Sequence, residues 1–352
     1  MNIAHHSKHG SGGDEIVTLR KKLPGRPPMT DAQAPPPSPG LALLGPEACA
    51  AALPYDALIE ALAQGFAARE IAQAPRQHFN PSPGRELLLG TAWRAGGALG
   101  LKALTLFRDN PSQGHPQIQG TYTLFDGHHG APRALLDAGT LTARRTAATS
   151  ALAARHLARR DATHLLVLGT GRLARALPEA FLAVRPLKTV TIWGRRADAV
   201  AATLDDLRAA LPGLRLQAAS TLEAAVTEAD MVTSALPSTA PVLRGAWLKA
   251  GQHVDLVGSY GPAMAEADGA CLQRARVFVD THAGGRAEAG ELLQAVAAGT
   301  FTWDAVAGDL GDLAAGQAVR HSADEITLFK AVGSAQADLI AAELALSRWP
   351  SP

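Results

Sequence analysis

Beyond residue 160, apolar positions fall into short runs at 165–169, 190–194, 214–218, 231–236, 254–258 and 277–280, with helical spacing between them. Runs that are apolar on both faces suit strands of a parallel sheet covered by helices on both sides. Six such strands complete a doubly wound nucleotide-binding domain, here placed at residues 141–304. Before it the pattern differs. Residues 54–66 have helical spacing, with Leu58, Ile59, Leu62 and Phe66 on one face. Between 86 and 138 come short extended runs (87–89, 99–107 and 120–125) separated by Gly, Pro and Asn, which predict an antiparallel or mixed sheet. An Ala- and Arg-rich helix at 141–158 bridges the two patterns. After residue 300 the alternation breaks. Asp324-Glu325-Ile326-Thr327-Leu328-Phe329-Lys330 leads into a predicted helix at 331–346 that returns to the first unit. The fold class expected is therefore α/β: a Rossmann domain plus a discontinuous α+β domain from residues 41–140 and 305–350.

Residues 1–40 fit neither pattern. They are rich in Pro, Gly, Ser and His, and lack an apolar period. Such a segment cannot bury enough surface to offset its ordering entropy, so a disordered tail is expected. His5, His6 and His9 are read as part of that tail and not as metal ligands, and Met29 is a candidate natural start. The tail lacks the apolar stretch of a secretory signal, which argues against export.

Composition narrows the function classes. The 352 residues are 47% hydrophobic and 18% charged, as in a globular enzyme, with a formal net charge of +1. That charge supplies no long-range field for nucleic acid or an anionic membrane, and no apolar run is long enough to span a bilayer. Cys49 and Cys271 lie far apart and have no ligand spacing, so two reduced thiols in a cytoplasmic protein are expected. No metal is expected.

The chemistry-bearing motif is Gly169-Thr170-Gly171-Arg172-Leu173-Ala174, at the end of one predicted strand and the start of a helix. Gly169 allows a tight turn, Gly171 lets backbone approach a pyrophosphate, and Ala174 allows close helix–strand packing. The phosphates would meet the N–H groups of the helix N-terminus. Pro178 is expected to bend or shorten that helix. The second strand ends at Gly194-Arg195-Arg196, where an acidic residue would suit NAD. Arginines there suit the additional phosphate of NADP, so NADPH is the expected cofactor, with NADH weaker.

Four segments together resemble the ornithine cyclodeaminase/mu-crystallin family. They are the stretch Leu141-Thr-Ala-Arg-Arg145-Thr, the Gly169 turn, Ser234-Ala235-Leu236-Pro-Ser238, and Glu325-Ile-Thr-Leu-Phe-Lys330-Ala-Val332. The resemblance implies that the split domain binds substrate and dimerises, giving a homodimer with the substrate held between the domains. It further implies Arg76 on the substrate carboxylate, where a guanidinium fork matches the geometry. Lys102 would bind the same carboxylate or assist proton transfer near an imine nitrogen. Arg145 would contact cofactor phosphate or substrate. Gln119, with Thr121, and Val332 would line the pocket. The loops carrying Ser234, Ala235, Leu236, Val257, Gly258 and Ser259 would border the cofactor.

One departure decides the branch. Cyclodeaminating members of the family resemble one another in an aspartate after the fifth strand; here Tyr260 stands there. A phenol cannot replace a carboxylate base at neutral pH. The residues thus resemble the ketimine reductase branch, which implies reduction of Δ1-pyrroline-2-carboxylate to L-proline and of Δ1-piperideine-2-carboxylate to L-pipecolate. That places the enzyme in proline metabolism or lysine degradation. The alternatives are ornithine cyclodeamination, an alanine dehydrogenase-like reaction, and an NADPH- or ligand-binding protein with little turnover. His253, His128 and His129 have no partner at ligand spacing, His282 follows a strand end near Arg286 and Glu288 and is a secondary candidate for the pocket, and Asp309 suits turn chemistry better than catalysis.

Overall fold

A computed structural model describes residues 40–350; the expectations for the tail, including His5, His6, His9 and Met29, lie outside them. The described chain opens with β1 (Ala42–Leu44), α1 (Pro46–Ala52) and α2 (Tyr55–Ala68). α2 buries Leu58, Ile59, Leu62 and Phe66, as its periodicity predicts. β2 (Ile71–Gln73), β3 (Gln77–Ser82), β4 (Arg85–Arg94), β5 (Ala98–Phe107), β6 (Ile118–Asp126) and β7 (Pro132–Asp137) follow. With β1 they form a seven-stranded sheet in the order β1-β7-β6-β5-β4-β2, β3 also pairing with β4. Pairing is antiparallel apart from the parallel β1–β7 pair, so the sheet is mixed.

The bridging helix, α3 (Ala138–Leu157), starts three residues before the predicted position because Asp137 caps it, accepting from the Thr140 N–H at 2.6 Å. Its Ala147, Ala148, Ala151 and Ala154 are fully buried, and small side chains let α2 and other helices approach closely.

The second unit runs β8 (His164–Leu168), α4 (Arg172–Leu182), β9 (Thr189–Trp193), α5 (Ala197–Ala210), β10 (Arg215–Ala218), α6 (Leu222–Glu228), β11 (Met231–Ser234), β12 (His253–Leu256), α7 (Gly269–Arg274) and β13 (Arg276–Val279). After these come α8 (His282–Glu288), α9 (Gly290–Ala297), β14 (Val306–Asp309), α10 (Leu310–Ala314), β15 (Thr327–Lys330) and α11 (Ala335–Ser347). The sheet is parallel, in the order β10-β9-β8-β11-β12-β15-β13-β14. All six predicted strands are present. Two more join them from the segment expected to belong to the other domain. β15 enters between β12 and β13, and its four residues are all buried. A four-residue apolar run cannot be told from a helix start by periodicity, which is why 327–330 escaped assignment.

Two local expectations need correction. α4 is not cut short at Pro178: it is continuous from Arg172 to Leu182, and Pro178 is buried, as are Leu177, Ala180 and Phe181. One lost backbone bond is outweighed there by the burial of Ala174, Leu177, Ala180 and Phe181. The last helix begins at Ala335 and not at 331. Gly333 turns the chain at φ +82°, and the Ser334 hydroxyl caps α11 by accepting from the Ala337 N–H at 3.2 Å.

Candidate active site

The C-terminal ends of β8, β9, β11, β12, β15 and β13 share one edge of the parallel sheet, where ligands of open α/β sheets bind. Gly169 leaves β8 at φ +127°, so close that a Cβ would lie 3.2 Å from the Ala235 carbonyl oxygen. Only glycine takes that conformation without strain. Gly171 is the N-cap of α4, and the space its missing side chain would fill is open. Ala174 is fully buried against the strand. A glycine beside open space, ahead of unpaired helix N–H groups, is what a pyrophosphate needs, so the turn fits a dinucleotide. Thr170 and Leu173 are half-buried around it, and the Arg172 guanidinium donates to the Thr140 hydroxyl at 2.7 Å. Gly194 ends the second strand against the Thr170 methyl group. Arg195 and Arg196 beyond it are exposed; Arg196 lies 3.6 Å from Asp198, and Arg195 has no ion-pair partner among the described residues.

Ser234 and Ser259 are not where a cofactor could reach their side chains. Both are wholly buried. The Ser234 hydroxyl donates to Glu266 at 2.6 Å, and the same carboxylate accepts from the N–H groups of Leu236, Gly258 and Ser259. A buried carboxylate needs such donors, and it draws the two hydroxyl-bearing loops inward. Lys330 completes the network, donating to the Ser259 carbonyl at 2.8 Å and standing 3.2 Å from both Glu266 and Glu291. Burial draws its pKa down, but the two glutamates outweigh burial and hold the ammonium charged. Ala235, Leu236 and Val257 are half-buried and line the loops above this network.

The structure brings Arg76, Lys102 and Arg145 together. Arg76 donates to the carbonyls of Val332 and Gly333 and stands 3.1 Å from Glu288. Lys102, on the inward face of β5, lies 2.6 Å from Asp338 Oδ2, while Arg145 Nε donates to Asp338 Oδ1 at 2.7 Å. Arg145, expected at a phosphate or the substrate, is thus engaged in the interior by Asp338. Burial pulls the Lys102 pKa down to about 8; Asp338 opposes the shift and Arg145 reinforces it. Asp280 accepts from the N–H groups of Thr281, Val332 and Gly333, fixing the turn that carries Val332. Tyr260 is half-buried between the two hydrophobic cores; burial, with Glu86 next, pushes its phenol pKa up.

Gln119 and Thr121 do not join the site. Gln119 pairs with Thr105 and Thr121 with Ala103, on the face of the sheet opposite Lys102. Period-two alternation separates them from a residue three or one positions out of phase. Sequence reasoning missed Asp338, Asp280 and Glu266, and met Glu288 only as a neighbour of His282. For Asp338 a signal existed: it shares a helix face with Ala341, Ala342 and Ala345, where a lone acid predicts a buried cation.

The remaining polar groups are structural. His253 is buried with Nδ1 3.0 Å from the Thr327 hydroxyl, and burial lowers its pKa to about 3. Asp309 caps α10. It comes within metal-ligand reach of His282 and Asp312, but Arg69 lies 2.9 Å from Asp309 and 2.6 Å from Asp312 and already engages both.

Residues 49–351 match the model of the ornithine cyclodeaminase/mu-crystallin family. A Δ1-pyrroline-2-carboxylate reductase of Paracoccus denitrificans is 40% identical over 289 residues, covering 81% of this chain and 89% of that one. The structure of Thermococcus litoralis Δ1-pyrroline-2-carboxylate reductase in complex with NADH and L-proline superposes with a TM-score of 0.84 at 25% identity, over 88% of this chain and 97% of that one. An archaeal alanine dehydrogenase dimer with bound NAD gives a TM-score of 0.81 at 25% identity, over 88% and 95% of the two chains. With its two sheets, its glycine turn and its cation cluster, this chain belongs to the ornithine cyclodeaminase/mu-crystallin family.

Proposed function

We propose that this enzyme, an oxidoreductase of carbon–nitrogen bonds, reduces cyclic ketimine carboxylates with NADPH. Its products would be L-proline from Δ1-pyrroline-2-carboxylate and L-pipecolate from Δ1-piperideine-2-carboxylate. The observation that carries the reading is the convergence of Arg76 and Lys102 on the edge of the sheet that begins at the Gly169 turn. Both groups are cationic, and both suit the carboxylate of such a substrate.

A reduced nicotinamide, when bound, supplies the hydride. The chain supplies orientation. Arg76 presents its fork from the loop before β3, and charged Lys102 supports the same carboxylate from β5. A pKa near 8 also lets Lys102 exchange a proton near neutral pH, and protonating the imine nitrogen makes its carbon more electrophilic. Tyr260 keeps its proton at neutral pH and cannot act as the carboxylate base of a cyclodeaminase. Preference for NADPH rests on exposed Arg195 and Arg196, since the Thermococcus relative holds NADH.

A homodimer is supported by the outward face of the first sheet, where Leu43, Phe79, Trp93 and Leu99 are each at least 40% exposed. The alanine dehydrogenase neighbour is described as a dimer. No helix among the described residues is long and apolar enough to cross a membrane. Cys49 and Cys271 are buried free thiols, which suits the cytoplasmic location expected from the sequence.

The test is NADPH and NADH oxidation, followed at 340 nm, with each cyclic imine. Steady turnover with NADPH is expected on both rings. Binding without turnover would indicate a ligand-binding protein, and vigorous ammonia release from ornithine with NAD would indicate a cyclodeaminase.

A further inference from the structure

Three cations that lie far apart in sequence are held by one short junction. It runs from Val332 to Asp338 and joins β15, a strand of the parallel sheet, to α11, a helix against the mixed sheet. Its carbonyls at Val332 and Gly333 accept from Arg76, and its carboxylate at Asp338 takes Arg145 on one oxygen and Lys102 on the other. The junction is itself clamped to the sheet, because Asp280 accepts the N–H groups of Val332 and Gly333. Asp338 is 1% exposed and Lys102 6%.

From this geometry we propose that Asp338 is the positioning residue of the site. It would set the place of Lys102 and Arg145 and the charge of Lys102, and tie them through the junction to the dinucleotide edge. The contacts give the reason. Asp338 is the carboxylate that touches both buried cations, one on each oxygen. Asp280 faces Arg145 and Arg76 as well, but its oxygens take the Thr281, Val332 and Gly333 N–H groups. Asp338 thus does two things. It keeps Lys102 and Arg145 from repelling one another, and it holds Lys102 where the carboxylate of the proposed substrate would meet it. The charged and titratable groups facing Lys102 are Asp338 from α11, Arg145 from α3, Arg76 from the loop before β3, and Tyr122, its cross-strand partner on β6.

The part concerning substrate rests on the proposed ketimine reductase reading; the part concerning Lys102 does not, and the experiment separates them. Labelling of Lys102 by an amine-acylating reagent across pH, read by peptide mass spectrometry on the ligand-free protein, reports its titration directly. In Asp338→Asn the midpoint is expected to fall by at least about one pH unit, because the neighbouring anion is gone. In Asp338→Glu the charge is kept and the midpoint stays, while one extra methylene displaces Lys102 and Arg145. The KM for Δ1-pyrroline-2-carboxylate is then expected to rise about tenfold, with the KM for NADPH unchanged. An unmoved midpoint in Asp338→Asn would overturn the assignment. So would equal changes in both KM values for Asp338→Glu, which is what general loss of structure would give. If Asp338→Asn fails to fold by circular dichroism, the Asp338→Glu kinetics decide alone. If the wild-type protein turns over no imine, the functional reading fails and the labelling result still decides the role of Asp338.

Discussion

Arg76 Nη1 stands 3.1 Å from the Glu288 carboxylate, and both side chains are largely out of water. On the proposed reading, a substrate carboxylate would therefore compete with a residue of the protein for the same guanidinium. Arg76 also spends donors on two backbone carbonyls, so its fork is held in place before any ligand arrives. Replacement by lysine keeps the charge and loses the fork. In Arg76→Lys the KM for the cyclic imine should rise about 10- to 100-fold, the worth of one or two charge-assisted bonds, with a smaller change in kcat. Steady-state rates at 340 nm check this, and an unchanged KM would remove Arg76 from the carboxylate site.

Arg195 is exposed and unpaired among the described residues, at the end of the second strand of the dinucleotide unit. In Arg195→Ala the KM for NADPH should rise roughly tenfold or more, while that for NADH stays within about twofold, since NADH has no 2′-phosphate to lose. Parallel titrations with the two cofactors give the answer, and equal losses would place Arg195 elsewhere.

The outward face of the mixed sheet predicts its own test. Leu99 sits there beside Trp93, 40% exposed. A charge at that position would have to be desolvated on dimer formation. Leu99→Asp should shift the protein to a monomer in sedimentation velocity while its far-ultraviolet circular dichroism stays native. A wild-type protein that already sediments as a monomer would refute the dimer.

Two buried groups in β12 give opposite dependences on pH. His253, with its pKa lowered from 6.5 to about 3 by burial, stays neutral in the fold, whereas the unfolded chain takes up a proton below 6.5. Stability from this group is full above pH 6.5 and falls as pH drops toward 3. Asp255, with its pKa raised from 3.8 to about 7, keeps its proton in the fold, so its contribution is full below 3.8 and is lost as pH rises through 7. Burial is its leading cause, opposed by a hydrogen bond from Thr233. Asp255→Asn removes that penalty. Its Tm relative to the parent should rise between pH 5 and pH 8 by about 2–4 °C, measured by calorimetry at matched ionic strength. A difference independent of pH would mean that Asp255 ionises normally.

Gly333 joins fold to site. Its φ of +82° is open to glycine, and a Cβ there would lie 2.8 Å from the Arg145 guanidinium. Gly333→Ala should cost about 1–2 kcal/mol from backbone strain and raise the imine KM together with it. Denaturant midpoints and kinetics from one preparation test both parts, and a variant altered in neither would deny the junction its role.

The parallel-sheet unit was legible because a strand buried on both faces is mostly apolar along its length, and six such runs stand out between helices. The Gly169 turn was legible for a similar reason, since backbone conformation and close approach restrict the residue directly. Arg76 and Lys102 were reached through family resemblance, and the alternation of β5 agrees with an inward Lys102. Gln119 was misplaced because assigning it to a face depends on strand register, which only pairing across β5 and β6 reveals. Ser234 was misassigned because its hydroxyl answers to Glu266, thirty-two residues away.

What the chain determined by itself was local: helix faces, buried strands and the glycine turn. These follow from periodicity and from backbone limits that act within a few residues. Only the tertiary structure decided that β15 enters between β12 and β13, that Arg145 turns inward, and that Asp338 holds two cations from other elements. Buried ion pairs depend on which segments meet, and Arg145 and Asp338, 193 positions apart, carry no local trace of their meeting.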